Sequence, residues 1–229
     1  MGVSHAQNES RWVTHPTEFK MAGSEFVKSV LVRGNLLKTG ERATRGADRG
    51  GERNCRRCGT VQSLGHISNH CPWSQLPRVE RHNRLVKSLR EALEKRGWKT
   101  QLEPRIKLDA GSFCKPDLVI VKDNETIVLD PSIVGSSRSF MSAYHEKIAL
   151  YDKPEVRRHA FNFARGCGLS PESFQVFGVI VNYRGAWAPM SWAVLKMLKI
   201  PPRLMIFWTI RVLVETFAVF AAETRQRAG

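Results

Sequence analysis

Residues 117–130, DLVIVKDNETIVLD, hold two β-rich runs, LVIV and TIVL, on either side of Asp123-Asn124. Runs of that kind about an Asp-Asn pair form a β-hairpin with a two-residue turn. Asp117 and Asp130 are symmetric about the turn and therefore lie opposite each other on one face, with Cβ atoms roughly 5 Å apart. Two carboxylates that close disfavour joint ionisation unless a cation sits between them. A divalent ion with hard oxygen ligands suits the position, and Mg²⁺ fits, with Mn²⁺ as the alternative. The competing reading makes both aspartates strand-terminal turn or cap residues.

The next helix adds weight to the metal. Tyr144, Lys147 and Tyr151 fall at i, i+3 and i+7 on one face. An ammonium beside a scissile phosphate orients water and stabilises charge growing on the phosphoryl oxygens, and a tyrosine one turn later hydrogen-bonds or stacks. Alone, Lys147 reads as a solvated helix lysine; with the two aspartates it describes a metal-dependent phosphodiesterase site.

Working outward, Val79, Val86, Leu89 and Leu93 recur at helical spacing, and Lys95-Arg96-Gly97 ends that helix. Arg78, Arg81, Arg84, Lys87 and Arg90 stud it, a basic face for nucleic-acid backbone. Trp98–Leu108 is expected as one extended strand. Downstream, Ser139–Tyr151 predicts a helix, Pro154 starts another that Gly166 ends, and Phe174–Tyr183 is an apolar strand for a sheet interior. Two helices divided by Pro201-Pro202 close the chain. The order is α-β-β-β-α and then a further strand, a mixed sheet flanked by helices.

The 229 residues carry 36 Lys+Arg against 21 Asp+Glu, a net charge of +15, which attracts polyanions. The N-terminus lacks the apolar core of a secretory signal. The apolar stretch Leu204–Ala222 contains Arg211 and Glu215, so it reads as a buried amphipathic helix, with no membrane partner. Five cysteines are too few and too clustered for a disulfide scaffold. Cys55, Cys58, His66 and Cys71 instead form a Cys3His set suited to tetrahedral Zn²⁺, and so small a loop takes its folding free energy from the metal. His70 competes for the fourth position but adjoins Cys71. Arg56 and Arg57 project from this knuckle toward phosphate. Cys114 and Cys167 have no ligand spacing around them. Residues 40–53 (GERATRGADRGGER) read as a flexible Arg/Gly-rich linker, and residues 1–39 hold a helix from Ser24 to about Leu37 whose apolar face has no partner nearby.

Lys115-Pro116-Asp117, Asp130, a helix with Lys147 and Tyr151, and a preceding Cys-Cys-His-Cys knuckle together resemble the C-terminal region of non-LTR retrotransposon polyproteins of the site-specific type that inserts in ribosomal DNA. Arg81-His82-Asn83-Arg84, Tyr151-Asp152-Lys153-Pro154 and Asn182-Tyr183-Arg184-Gly185 are similar to that family too. The resemblance spans about residues 20 to 220. It implies a restriction-endonuclease-like α-β-β-β-α-β core over residues 76–229 behind a zinc knuckle at 54–73. By it, Asp117 and Asp130 are the metal-binding acids, Lys147 a catalytic lysine carried on the helix, Tyr151 a tyrosine beside the site, and Cys55, Cys58, His66 and Cys71 the knuckle ligands. The implied activity is nicking one DNA strand so that its 3′-hydroxyl primes reverse transcription of the element's RNA, in the nucleus. Target DNA and element RNA are the implied partners, with Arg78, Arg81, Arg84 and Lys115 among the contacts; a dimer on DNA is left open. The chain contains no Asp-Asp dipeptide and so no polymerase palm motif; residues 1–39 are then the tail of a reverse transcriptase region upstream. Pro131 departs from the family's β-branched residue, and because proline lacks a ladder donor, Asp130 is expected at a strand end or edge. A zinc-knuckle nucleic-acid-binding module without catalysis is the second reading.

Overall fold

The computed structural model describes residues 10–44, 53–109 and 111–225. Its elements are α1 (Gly23–Arg33), the short α2 (Gly40–Ala43), α3 (Gln75–Glu94), β1 (Lys99–Leu102), β2 (Ile106–Lys107), β3 (Phe113–Cys114), β4 (Leu118–Lys122), β5 (Glu125–Val134), α4 (Phe140–Tyr151), α5 (Pro154–Gly166), β6 (Ser173–Asn182), α6 (Pro189–Met197) and α7 (Pro202–Arg225). The central sheet has the order β1-β4-β5-β6. β1, β4 and β5 are antiparallel neighbours, and β6 lies parallel to β5. A mixed α/β architecture with a mixed sheet results.

β4 and β5 are apolar at successive positions because helices cover both faces of the sheet. Leu118, Ile120, Ile127 and Leu129 meet Leu85, Leu89 and Leu93 of α3, Trp192 and Leu195 of α6, and Trp208 of α7. Val119, Val128 and Val176 face the other way, against Tyr151, Val156 and Ala160 of α4 and α5. Side chains alternate along a strand, so Asp117 shares the parity of Val119, and Asp130 that of Val128. Both carboxylates therefore belong to the face that α4 covers.

Trp98–Leu108 is not one strand. β1 stops at Leu102, and Glu103 takes a left-handed φ of 47°, a conformation that costs a non-glycine residue on the order of 1 kcal/mol. There its amide donates to Asp117 O at 3.0 Å, which closes the β1–β4 ladder over the aspartate. The chain then enters the separate β2–β3 hairpin, anchored by buried Ile106 and Cys114.

Pro131 also differs from expectation. β5 runs through it, and Asp130 lies inside the strand rather than at its end. Asn124 O accepts from Ser173 N and Val134 O from Tyr183 N, so the even-numbered peptide groups of β5 face β6. Odd-numbered ones, Pro131 included, face β4, whose pairing has ended at Leu118–Leu129. The missing donor thus falls on a free edge and costs no hydrogen bond. Pro116, one residue before Asp117, likewise has no donor to extend the ladder.

A second core joins α1, the knuckle and α7. Trp12, Val32, Leu37, Leu64, Ile67, Ile206, Ile210, Leu213 and Phe220 pack together, with Phe26, Val30 and Leu31 at the margin. The apolar face of α1 therefore has its partner within the chain, about 180 residues away in α7. The start of the expected linker is also ordered. Thr39 Oγ1 caps α2 by accepting from Arg42 N at 3.3 Å, and Gly40 N donates to Gln62 Oε1 at 2.9 Å. The rest of that linker, residues 45–52, lies outside the described residues. Pro202–Thr224 is long and apolar enough to cross a membrane by composition; here it buries Met205, Trp208, Val212 and Val219 against the rest of the protein.

Candidate active site

The hairpin register Leu118↔Leu129 through Lys122↔Glu125 sets Asp117 against Asp130 at the next position. Asp117 N donates to Asp130 Oδ1 at 3.3 Å. Asp130 is 2% exposed. Its Oδ2 forms an ion pair with Lys147 Nζ but takes no aligned hydrogen bond among the described residues. Burial foremost, and then the charge of Asp117, push the Asp130 carboxyl up to about 6, against the opposing pull of Lys147. A buried carboxylate with a second carboxylate beside it is the donor set that a hard divalent cation fits.

Lys147 reaches Asp130 because Gly178 leaves room. Asp130 pairs with Gly178 across the parallel β5–β6 ladder. A Cβ there would stand 3.3 Å from Lys147 Cβ, 3.4 Å from its Cγ and 3.2 Å from Ile180 Cδ1. Gly178→Val is therefore expected to displace the ammonium and break its ion pair with Asp130. Its cost should ease when it is combined with Lys147→Ala, as a double-mutant cycle of melting temperatures will show.

Tyr151, buried at the end of α4, donates its hydroxyl to Lys115 O at 3.1 Å. It fixes the backbone leading into Asp117; burial and the neighbouring Asp130 and Asp117 charges raise its pKa, so it stays a donor. Lys115 Nζ pairs with Glu103 Oε2 at 2.5 Å on the surface. Tyr144 packs instead beside Val134 and Ile180. One site residue had no assigned role in the sequence: His82 of α3, whose Nε2 donates to Asp117 Oδ1 at 3.2 Å. Burial opposes its charge, but the Asp117 hydrogen bond and the two carboxylate charges outweigh that and raise its pKa. The sole signal was its place in Arg81-His82-Asn83-Arg84.

The knuckle gathers as its spacing suggests. Ligand atoms of Cys55, Cys58, His66 and Cys71 all lie within 4.8 Å of one another, including Cys55 Sγ to Cys71 Sγ at 4.0 Å and Cys58 Sγ to His66 Nε2 at 3.2 Å. This is a Cys3His cluster compatible with a zinc knuckle. His70 is exposed and outside it.

Two of the basic residues expected on DNA are placed elsewhere, which is a correction. Arg81 is 3% exposed; it donates to Thr216 Oγ1 at 2.7 Å and Ser68 O at 2.9 Å, tying the knuckle to α7. Arg78 is partly buried and donates to Ser74 O at 3.2 Å, Cys71 O at 3.1 Å and Asn69 O. It braces the turn that carries the last ligand. Arg56 and Arg84 are exposed, and Arg57 lies half-buried over the Trp73 ring at 5.0 Å.

Fold and site thus define a basic mixed α/β protein with a Cys3His cluster packed against its C-terminal helix and a Lys-bearing acid pair at the end of the β4–β5 ladder. No family model matches the chain. It is 32% identical over 188 residues to the retrovirus-related Pol polyprotein from type-2 retrotransposable element R2DM of Drosophila melanogaster, covering 82% of this chain and 17% of that protein. With a Pol polyprotein from type-1 retrotransposable element R2 of Popillia japonica it shares 32% over 187 residues, 80% of this chain and 36% of the relative. With the one from Nasonia vitripennis it shares 28% over 199 residues, covering 86% and 19%. The homologues of this chain are R2 non-LTR retrotransposon Pol polyproteins, and it spans about a sixth to a third of the length of those relatives.

Proposed function

We propose that this region is the endonuclease part of an R2-type Pol polyprotein, with a restriction-like core, and that it nicks target DNA to prime reverse transcription. The polymerase activity belongs to other parts of the parent polyprotein, and the work is nuclear, on target DNA with the element RNA as template. The observation that carries this reading is the buried Asp130, set against Asp117 and within ion-pair contact of Lys147.

Asp117 and Asp130 would hold Mg²⁺ or Mn²⁺. That ion, when bound, supplies Lewis-acid polarisation of the scissile phosphate and a more acidic bound water. Lys147 then has its ammonium free of full pairing with Asp130 and places it beside the phosphoryl oxygens, where charge grows during attack. His82 holds Asp117 in orientation through Nε2 and carries a proton at that atom. Tyr151 keeps the Lys115–Asp117 backbone in place. Zn²⁺ at Cys55, Cys58, His66 and Cys71 would fix the knuckle, with Arg56, Arg57, Arg84 and Lys115 on the nucleic-acid backbone. Pro131 gives no support to an inactive module, since its missing donor falls where no partner strand exists.

Supercoiled plasmid is expected to convert to open circles only with added Mg²⁺ or Mn²⁺, and Lys147→Ala to slow conversion about 100-fold. Metal-independent conversion, or an undiminished rate in the variant, overturns the assignment.

A further inference from the structure

α3 carries a row of side chains that neither the fold nor the site uses. Trp73, in the turn leading into the helix, is 62% exposed; Leu76 is 70% exposed and Val79 45%. Large apolar groups so exposed in succession are uncommon on a folded surface. Leu76 and Val79, with Trp73 in the turn just before them, stand three apart along one oblique ridge that moves about 60° round the helix per step, and the next member is His82, bonded to Asp117. Over those nine residues the ridge rises about 14 Å and winds half a turn round α3, joining the knuckle end of the helix obliquely to the carboxylates.

The Trp73 ring is held rather than free. Its Nε1 donates to Arg57 O at 3.3 Å, and the Arg57 guanidinium lies 5.0 Å from the ring centroid. The indole's polar edge is thus satisfied by the knuckle while much of its apolar surface stays in water. Arg56 is exposed in the same knuckle, and the acid beside the ridge, Glu80, is paired with Arg84 at 3.7 Å. A fixed aromatic with a guanidinium over one face, most of its surface in water and an apolar ridge beyond it matches an unpaired nucleotide strand, which offers flat π faces and a phosphate backbone together. Duplex DNA hides those faces inside its stack.

We infer that the Trp73–Leu76–Val79 ridge is a binding track for an unpaired stretch of DNA adjoining the cut phosphate, with one base stacked on Trp73. This rests on the reading of the Asp117–Asp130 site as the place of cleavage, and it adds that the protein selects a locally opened target over a closed duplex.

The test is fluorescence anisotropy of the zinc-loaded chain, without Mg²⁺, on a fluorescein-labelled duplex and on the same duplex carrying a short unpaired bubble. Trp73→Ala is expected to weaken bubble binding about 10-fold while leaving duplex binding within about 2-fold, and Trp73→Phe to keep most of the bubble affinity. Trp73 is exposed, so melting temperature and zinc content should match the parent and separate lost stacking from misfolding. Equal losses on both probes, or none on either, overturn the inference; the second result leaves the ridge as a protein-docking face. Because no cleavage is needed, a chain that binds bubbles through Trp73 but never nicks plasmid would sink the nuclease reading and leave the track standing.

Discussion

Asp130→Asn is expected to cut the nicking rate by about 1,000-fold and yet to raise the melting temperature of the metal-free protein at pH 8. The first effect follows from removing a charged oxygen donor whose cation supplies several kcal/mol of transition-state stabilisation. The second follows from burial. The Asp130 carboxyl sits at about 6 in the folded protein against an ordinary 3.8. A carboxyl raised on folding binds more protons in the native state between those two values, so stability falls as pH climbs through that window and stays reduced above it. That displacement corresponds to on the order of 3 kcal/mol at neutral pH. Asparagine keeps the shape and removes the charge. Lys147, about a quarter exposed, then turns to solvent at little cost. A gain of several degrees at pH 8 should fall to about half at pH 5, midway through that window, and approach zero only below about 3.8, where both states are protonated. Thermal melts of both proteins at the two pH values, paired with plasmid nicking, check both halves. An equal gain at both values would mean that the charge is not the cause.

The same residues show how far sequence reasoning reaches. The 117–130 hairpin was legible because all its information is local: two apolar runs, a turn of two residues, and a pairing that leaves no freedom once the turn is placed. Lys147 was legible from helical spacing after Asp130 had been placed. What failed depended on distant partners. Arg81 reads as one more arginine on a basic helix, and only Thr216 of α7 and Ser68 of the knuckle make it a buried connector. His82 lies 35 residues from the carboxylate it bonds. The α1 face looked orphaned because its cover lies at the far end of the chain. Pro131 misled differently: proline forbids a donor, but which edge of β5 needed one depends on where β4 stops. Gly178, whose missing Cβ lets Lys147 approach, carries no local signal at all.

Zinc removal should have the largest structural consequence, and one that spreads beyond the knuckle. A structural site of this kind contributes on the order of 10 kcal/mol to folding at neutral pH, comparable to the whole net stability of a domain. Residues 54–74 contain little apolar mass of their own, but Leu64 and Ile67 are fully buried in the core shared with α1 and α7. Gln62 Nε2 donates to Glu223 Oε1 at 3.0 Å, and Arg81 and Arg78 hold carbonyls of the same turn. If the four ligands part, those contacts lose their geometry together, and Arg81 is left as a buried charge with fewer acceptors, itself a penalty of several kcal/mol. A strong zinc chelator, or Cys58→Ser, is therefore expected to abolish amide-exchange protection in residues 54–74, α1 and the C-terminal half of α7. The β4–β5–β6 ladder, whose core lies between α3 and α5, should keep its protection. Hydrogen-exchange mass spectrometry resolves the two regions. Protection unchanged by chelation would show that the cysteines hold the knuckle without metal; protection lost throughout the chain would show one cooperative unit rather than two cores.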